Sequence, residues 1–150
     1  MLRARSPFRY YSIDPQKEKE VDNLERDFAR FVGAKHALAV TSGTGALHVA
    51  LSALGVGPGQ EVIVPAYLWV SVVAAVVNLG AIPVVADINN TFGIDPGDLS
   101  QRITPKTKGI IAIHMSGAPC DIEGIVKVAR GLCSRATFTM PSISQGAPLM

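Results

Sequence analysis

Apolar positions along this chain switch between helical and strand-like spacing, and the switching predicts helices and strands in turn. Val21, Leu24, Phe28, Phe31 and Val32 recur at helical spacing with charges between them, between the start signal Asp14-Pro15 and Gly33, where a left-handed terminal residue is wanted. His36–Val40 reads as a strand. A Ser-Gly-Thr-Gly turn then opens a helix that ends in the turn-rich segment Gly55–Gly59. Glu61–Val64 reads as a second strand, stopped by Pro65. Leu68–Leu79 is apolar on nearly every side, which predicts a helix buried over most of its surface and closed by Gly80. Ile82–Ala86 follows as a strand, Asp95-Pro96 starts a short helix through Leu99 and Ile103, Thr107–Ile113 supplies another strand, and Asp121 caps a helix over Ile122–Arg130.

Strands alternating with helices predict an α/β fold, a three-layer sandwich whose mostly parallel sheet is covered on both faces with right-handed crossovers. Ligands of such sheets bind beyond the carboxyl ends of the strands. Thr41–Gly45, Pro65–Trp69 and His114–Pro119 are the loops expected at that edge. Beyond Arg130 the character changes: residues 131–150 hold Arg135 and no acid, and neither period runs long enough to name an element. The chain therefore divides into an ordered domain over residues 1–130 and a divergent tail over 131–150, expected to be poorly ordered.

The stretch with the most chemistry is AVTSGTGALHVAL, residues 39–51. A strand feeding a glycine-bearing loop that opens a helix offers unpaired backbone amides to an anion. Gly43 and Gly45 would let the backbone approach a phosphate, and Ser42 and Thr44 would add hydroxyl donors. The plainer alternative is a glycine turn with Ser or Thr as N-cap and no ligand. The spacing matches neither the Walker nor the dinucleotide fingerprint.

Composition narrows the function classes. At 150 residues the chain has the length of one domain, and its 48% hydrophobic content lies on the apolar side for a free-standing one. Its mean hydropathy of +0.29 agrees. A net charge of +2 without a basic stripe argues against nucleic acid. The two cysteines, Cys120 and Cys133, form no metal or redox spacing, and a reducing cytoplasm is the expected location. Met1–Ser12 carries Arg3, Arg5 and Arg9 but no apolar core of a secretory signal, and the run Val70–Val77 is too short to span a membrane.

Three segments together carry a family likeness. SGTGALHVAL, then GVGPGQEVIVPAYLWVSVVAAVVNLGAIPVVADI, then ITPKTKGIIAIHMSGAPCDI closely resemble the amino-terminal part of the DegT/StrS-type sugar aminotransferases, pyridoxal-phosphate enzymes of the aspartate aminotransferase fold, fold type I. The likeness spans about Tyr11 to Arg130 and implies that residues 1–130 are an incomplete large domain of such an enzyme. It assigns Ser42, Gly43 and Thr44, with Gly45 beside them, to the cofactor phosphate, and Trp69 to stacking on the pyridine ring. An indole stacked on a flat, electron-poor ring would hold the cofactor plane. The alternative for Trp69 is a core residue near a strand end. Leu68 and Ser71 stand where the family commonly has threonine and alanine, which puts finer contacts in doubt. His114 matches the family's His-x-x-Gly segment and is assigned no chemical step; His36 and His48 are read as structural.

Transamination also needs a lysine that bonds the cofactor aldehyde and a carboxylate that keeps the pyridine nitrogen protonated. The resemblance places both further along than this chain reaches. Where the family's Glu-Asp-x-Ala-Gln segment is expected, the sequence reads GLCSRATFTMPS, a break of the kind a frameshift or an alternative gene end would produce. Lys17, Lys19, Lys35, Lys106, Lys108 and Lys127 sit on helices, strand starts or turns outside the phosphate loop, so no catalytic residue is assigned. The complete enzyme would take an amino group, typically from glutamate, to a free or nucleotide-linked keto sugar and would work as a homodimer. The expectation is the cofactor-binding portion of such an enzyme, inactive alone and prone to association through uncovered apolar faces. Two other readings stand beside it: a non-catalytic binding or interaction fragment, and an unrelated nucleotide-binding α/β domain, which does not account for Trp69.

Overall fold

The computed structural model describes residues 20–132. The Asp14-Pro15 start signal, Lys17, Lys19 and the tail from Cys133 lie outside the described residues. The chain divides into two compact units at the Thr41–Ser42 junction.

In the first unit, α1 spans Glu20–Phe31. Glu20 and Asp22 in its first turn and Arg30 in its last complement the helix dipole. Gly33 ends it at φ +68°, with the Gly33 amide donating to Arg30 O (3.3 Å) and the Ala34 amide to Ala29 O (2.9 Å), the paired bonds of a left-handed helix stop. The apolar stripe predicted on α1 is present, yet Leu24, Phe28, Phe31 and Val32 are exposed and Ala29 alone is buried. His36–Val40 is not a strand. A strand is defined by a neighbour's hydrogen bonds, and no ladder reaches this segment among the described residues; Ala39 N instead donates to Glu25 Oε1 at 2.7 Å.

The second unit is the predicted α/β layer structure. In chain order it contains α2 (Gly43–Ala53), β1 (Glu61–Pro65), α3 (Val70–Asn78), β2 (Ile82–Ala86), α4 (Pro96–Arg102), β3 (Thr107–Ile110), a single 3-10 turn (Met115–Gly117) and α5 (Ile122–Leu132). The strands form one sheet in the order β2-β1-β3, parallel throughout. The register pairs Glu61 with Ile82 through Pro65 with Ala86 on one side, and Ile63 with Ile110 on the other. β3 is shorter than the apolar run Thr107–Ile113 predicts. The ladder stops after the bond from Ile111 N to Ile63 O because the next donor on β1 would be Pro65, which has no N–H.

β1 sits in the middle, and its alternation builds both cores. Val62 and Val64 pack with Leu47, Leu51, Val72 and Val76 of α2 and α3, while Ile63 packs with Ile94, Leu99, Ile125 and Ala129 on the side of α4 and α5. A strand buried on both faces must be apolar wherever it is buried, which is why Val62–Pro65 shows no polar alternation after the partly exposed Glu61. α3 departs from expectation: Val72, Ala75 and Val76 are buried, but Val70 and Val77 face solvent. Within the second unit the sheet and α2 cover one side of α3, and Val70 and Val77 lie on the side they leave open.

Helix starts follow the predicted chemistry. Asp95 Oδ1 accepts from Gly97 N (2.8 Å) to cap α4, and Asp121 Oδ1 accepts from Gly124 N (2.9 Å) at the start of α5. Among the described residues no helix is long and apolar enough to cross a membrane.

Candidate functional site

Parallel strands place all their carboxyl ends at one edge of the sheet, so the loops that follow β1, β2 and β3 gather there. α3 begins in the first of these loops. α2 runs the opposite way to β1: its far end turns back through Gly55–Gly59 to Gln60, whose carbonyl accepts from Ile82 N at the amino edge. The amino termini of α2 and α3 therefore open on the same side. This topology brings Ser42–Gly45 and Trp69, far apart in sequence, to one edge.

At the opening of α2, Ser42 is the N-cap, in extended backbone at φ −161°. Its Oγ accepts from Gly45 N at 3.0 Å, and its carbonyl accepts from Ala46 N at 2.9 Å. The cap uses the Gly45 amide, so this glycine's role differs from the one its position in the loop suggests. A Cβ on Gly45 would lie 3.3 Å from Ser42 Oγ, and its absence lets the cap close. The Gly43 and Thr44 amides make no hydrogen bond among the described residues, and both residues are exposed. These two amides, the Thr44 hydroxyl and the remaining proton of the Ser42 hydroxyl form a compact set of donors facing outward from a helix start. The plain capping reading and the anion reading are compatible, because the cap consumes one amide and leaves two.

At the opening of α3, Trp69 is 76% exposed. Its carbonyl accepts from Val72 N at 3.0 Å, which ties its backbone to the helix while the indole stays free. An apolar ring of this size left in water is not the core residue of the alternative reading. Two further aromatics stand in the neighbouring loops: Tyr67 after β1 and Phe92 after β2 are half exposed, their ring centroids 5.3 Å apart and tilted by 46°. Sequence reasoning passed over this pair because the residues are distant in the chain. Phe92 holds φ +60°, uncommon for a bulky side chain.

After β3, His114 Nδ1 accepts from Cys120 N at 3.1 Å. Burial pushes the Cys120 thiol up, so it is an inert structural sulfhydryl at neutral pH. The other two histidines, His36 and His48, are exposed. Asp98 of α4 accepts from Asp87 N (2.7 Å) just after β2 and pairs with Arg102. The Arg102 hydrogen bond, followed by the Asp87 amide, holds the Asp98 carboxyl below its usual range. This arrangement fixes the start of the loop that carries Phe92. Lys106 and Lys108 lie at the amino end of β3, the edge opposite the helix openings, and Lys127 lies within α5.

The profile of the DegT/DnrJ/EryC1/StrS aminotransferase family matches residues 15–132. The spore coat polysaccharide biosynthesis protein SpsC of Bacillus subtilis is 46% identical over 115 residues, 76% of this chain and 30% of SpsC. The chain thus spans about a third of the length of such relatives. Among solved structures, a 3-amino-5-hydroxybenzoic acid synthase superposes with TM-score 0.76 at 42% identity, covering 81% of this chain and 31% of the synthase. The sugar aminotransferase Spr1654 of Streptococcus pneumoniae, solved in PLP and PMP forms and described as putative, superposes with TM-score 0.75 at 34% identity, over 81% of this chain and 31% of its own.

Proposed function

Because the chain belongs to the DegT/DnrJ/EryC1/StrS aminotransferase family, whose cofactor is pyridoxal phosphate, we propose that residues 42–69 hold that cofactor. In this reading the chain is the amino-terminal, cofactor-cradling part of an enzyme that transfers an amino group, typically from glutamate, to a keto sugar or nucleotide-linked keto sugar. The observation that carries it is the shared edge: open amides at the start of α2 and an exposed indole at the start of α3. The residues suit the group. Gly43 N, Thr44 N and the Ser42 and Thr44 hydroxyls match a phosphate dianion at a positive helix end, and Trp69 offers a flat face to a flat ring. When bound, pyridoxal phosphate supplies the electron-withdrawing ring on which the amino group is exchanged. Ser42 keeps the loop in register by capping α2, Gly43 and Thr44 bind, and Trp69 orients the ring and shields one of its faces.

The chain alone does not complete the reaction. The lysine that bonds the cofactor and the carboxylate that holds the ring nitrogen protonated are not supplied by residues 20–132, whose lysines of the second unit lie at the opposite edge or on α5. The complete enzyme works as a homodimer. A second reading, an interaction fragment with no catalytic role, is favoured by the exposed Val70, Val77, Ile82 and Val85 of the second unit.

Titration of the 150-residue chain with pyridoxal phosphate, borohydride reduction and mass analysis test the proposal. Saturable binding that stays non-covalent and weakens roughly tenfold in Trp69→Ala or Thr44→Ala is expected, about 1.4 kcal/mol of lost contact. Stoichiometric labelling of one lysine would overturn the incompleteness, and no binding would leave the interaction fragment.

A further inference from the structure

His114 lies beyond the carboxyl end of β3, at the edge where Trp69 and Ser42 open. It is half-buried, and its Nδ1 accepts from the Cys120 amide at 3.1 Å. A ring nitrogen that accepts carries no proton, so the imidazole proton sits on Nε2. Nε2 makes no hydrogen bond among the described residues, yet no buried side-chain nitrogen or oxygen there lacks a partner. Nε2–H therefore reaches the surface as an open donor of fixed tautomer.

The ring is held by a built support. Ser116 at φ +52° and Gly117 at φ +84° fold the loop back after β3, which brings the Cys120 amide to His114. Cys120 is buried, and its Cβ occupies the space that a side chain at position 93 would need: a Cβ on Gly93 would lie 2.6 Å away. The loops after β2 and β3 are thus locked together through Gly93 and Cys120, and the locked loop orients His114. Exposed histidines such as His36 and His48 have no comparable support.

We infer that His114 Nε2–H is a hydrogen-bond donor to a ring-borne oxygen of the pyridoxal phosphate held at this edge, with Cys120 as its positioning residue. The inference rests on the cofactor reading above. With Trp69 holding one face of a ring, the open Nε2–H of His114, on the loop that follows the strand next to β1, would be available to an oxygen on that ring's rim. Gly43, Thr44 and Ser42 would hold the phosphate and Trp69 the ring face, and His114, in the loop after β3, would supply a third direction of restraint.

The test uses the chain labelled with 15N-histidine. In the free chain, His114 shows an unprotonated Nδ1 and a protonated Nε2; the opposite tautomer would overturn the inference. Pyridoxal phosphate is then added while Trp69 fluorescence and the His114 15Nε2 resonance are followed, with inorganic phosphate as control. Quenching of Trp69 together with a shift of Nε2, absent with inorganic phosphate, is expected. His114→Gln, which keeps a donor nitrogen near the same place, retains affinity, and His114→Ala loses roughly five- to tenfold, the scale of one hydrogen bond. Quenching of Trp69 with His114 unmoved would overturn the donor role and leave the cofactor reading standing. A shift with inorganic phosphate as well would make phosphate the acceptor and overturn the ring assignment, and neither signal would overturn both readings.

Discussion

Gly93 and Cys120, in loops that follow different strands, approach so closely that a Cβ on the glycine would stand 2.6 Å from the Cβ of the cysteine. Cys120 is buried and cannot retreat, and Ile94 beside Gly93 is fully buried in the same core. Gly93→Ala is expected to destabilise the second unit by about 1–3 kcal/mol through overpacking. Urea unfolding followed by far-UV circular dichroism measures it, and a midpoint equal to that of the parent chain would show that the loops separate freely. Cys120→Ala in the Gly93→Ala background should recover little, because the cysteine's Cβ remains.

The cap at the start of α2 can be separated from any ligand. Ser42→Ala removes the acceptor of the Gly45 amide and should cost about 0.5–2 kcal/mol, whereas Ser42→Gly should cost a few tenths. Thr44→Ala breaks no hydrogen bond among the described residues and should leave the unfolding midpoint near the parent value. A large loss in Thr44→Ala without ligand would mean that the threonine is structural.

Ile63 is fully buried and is the residue of β1 that faces α4 and α5. Ile63→Ala should cost about 2–5 kcal/mol, and Val85→Ala on the exposed side of edge strand β2 well under 1 kcal/mol. Comparable losses at the two positions would show that β2 is covered in solution, and sedimentation velocity would then detect the associated species.

Asp98 gives a pH signature. Its carboxyl is held below the ordinary aspartate value of 3.8 by Arg102, then by the Asp87 amide. A lowered folded pKa contributes stability that is complete above the unfolded value and is lost as pH falls through that value to the folded one. Asp98→Asn should therefore flatten the decline in stability on acidification below about pH 4 and leave the pH 6–8 region nearly level. Chemical denaturation at a series of pH values checks this, and an unchanged acid limb in Asp98→Asn would remove the pair from the account. The effect should shrink in high salt because both side chains reach solvent.

Much of the second unit was legible in the sequence because its signals are local. Ile82–Ala86 matches β2 residue for residue, Asp95 and Asp121 cap the helices their positions suggest, and Gly33 and Gly80 adopt the positive φ that a helix stop wants. The loop at Ser42–Gly45 was legible as a helix start for the same reason. What failed was whatever depends on a neighbour. His36–Val40 has the composition of a strand, but a ladder needs a partner and none lies beside it among the described residues. Leu68–Leu79 has the composition of a buried helix, but burial is decided by what surrounds it, and the sheet and α2 cover one side of α3.

The sequence by itself determined the alternation of elements, the positions of their ends and the family to which they belong. The elements and their ends follow from backbone sterics, capping and periodicity, each acting within a few residues, whereas the family was carried by the likeness of whole segments and its match over residues 15–132. Only the tertiary structure decided that Trp69 stands in solvent, that Tyr67 meets Phe92, and that His114 is locked in one tautomer by Cys120 N. Those facts come from loops separated in sequence and joined by the parallel sheet, whose register gathers strand ends that no local pattern relates.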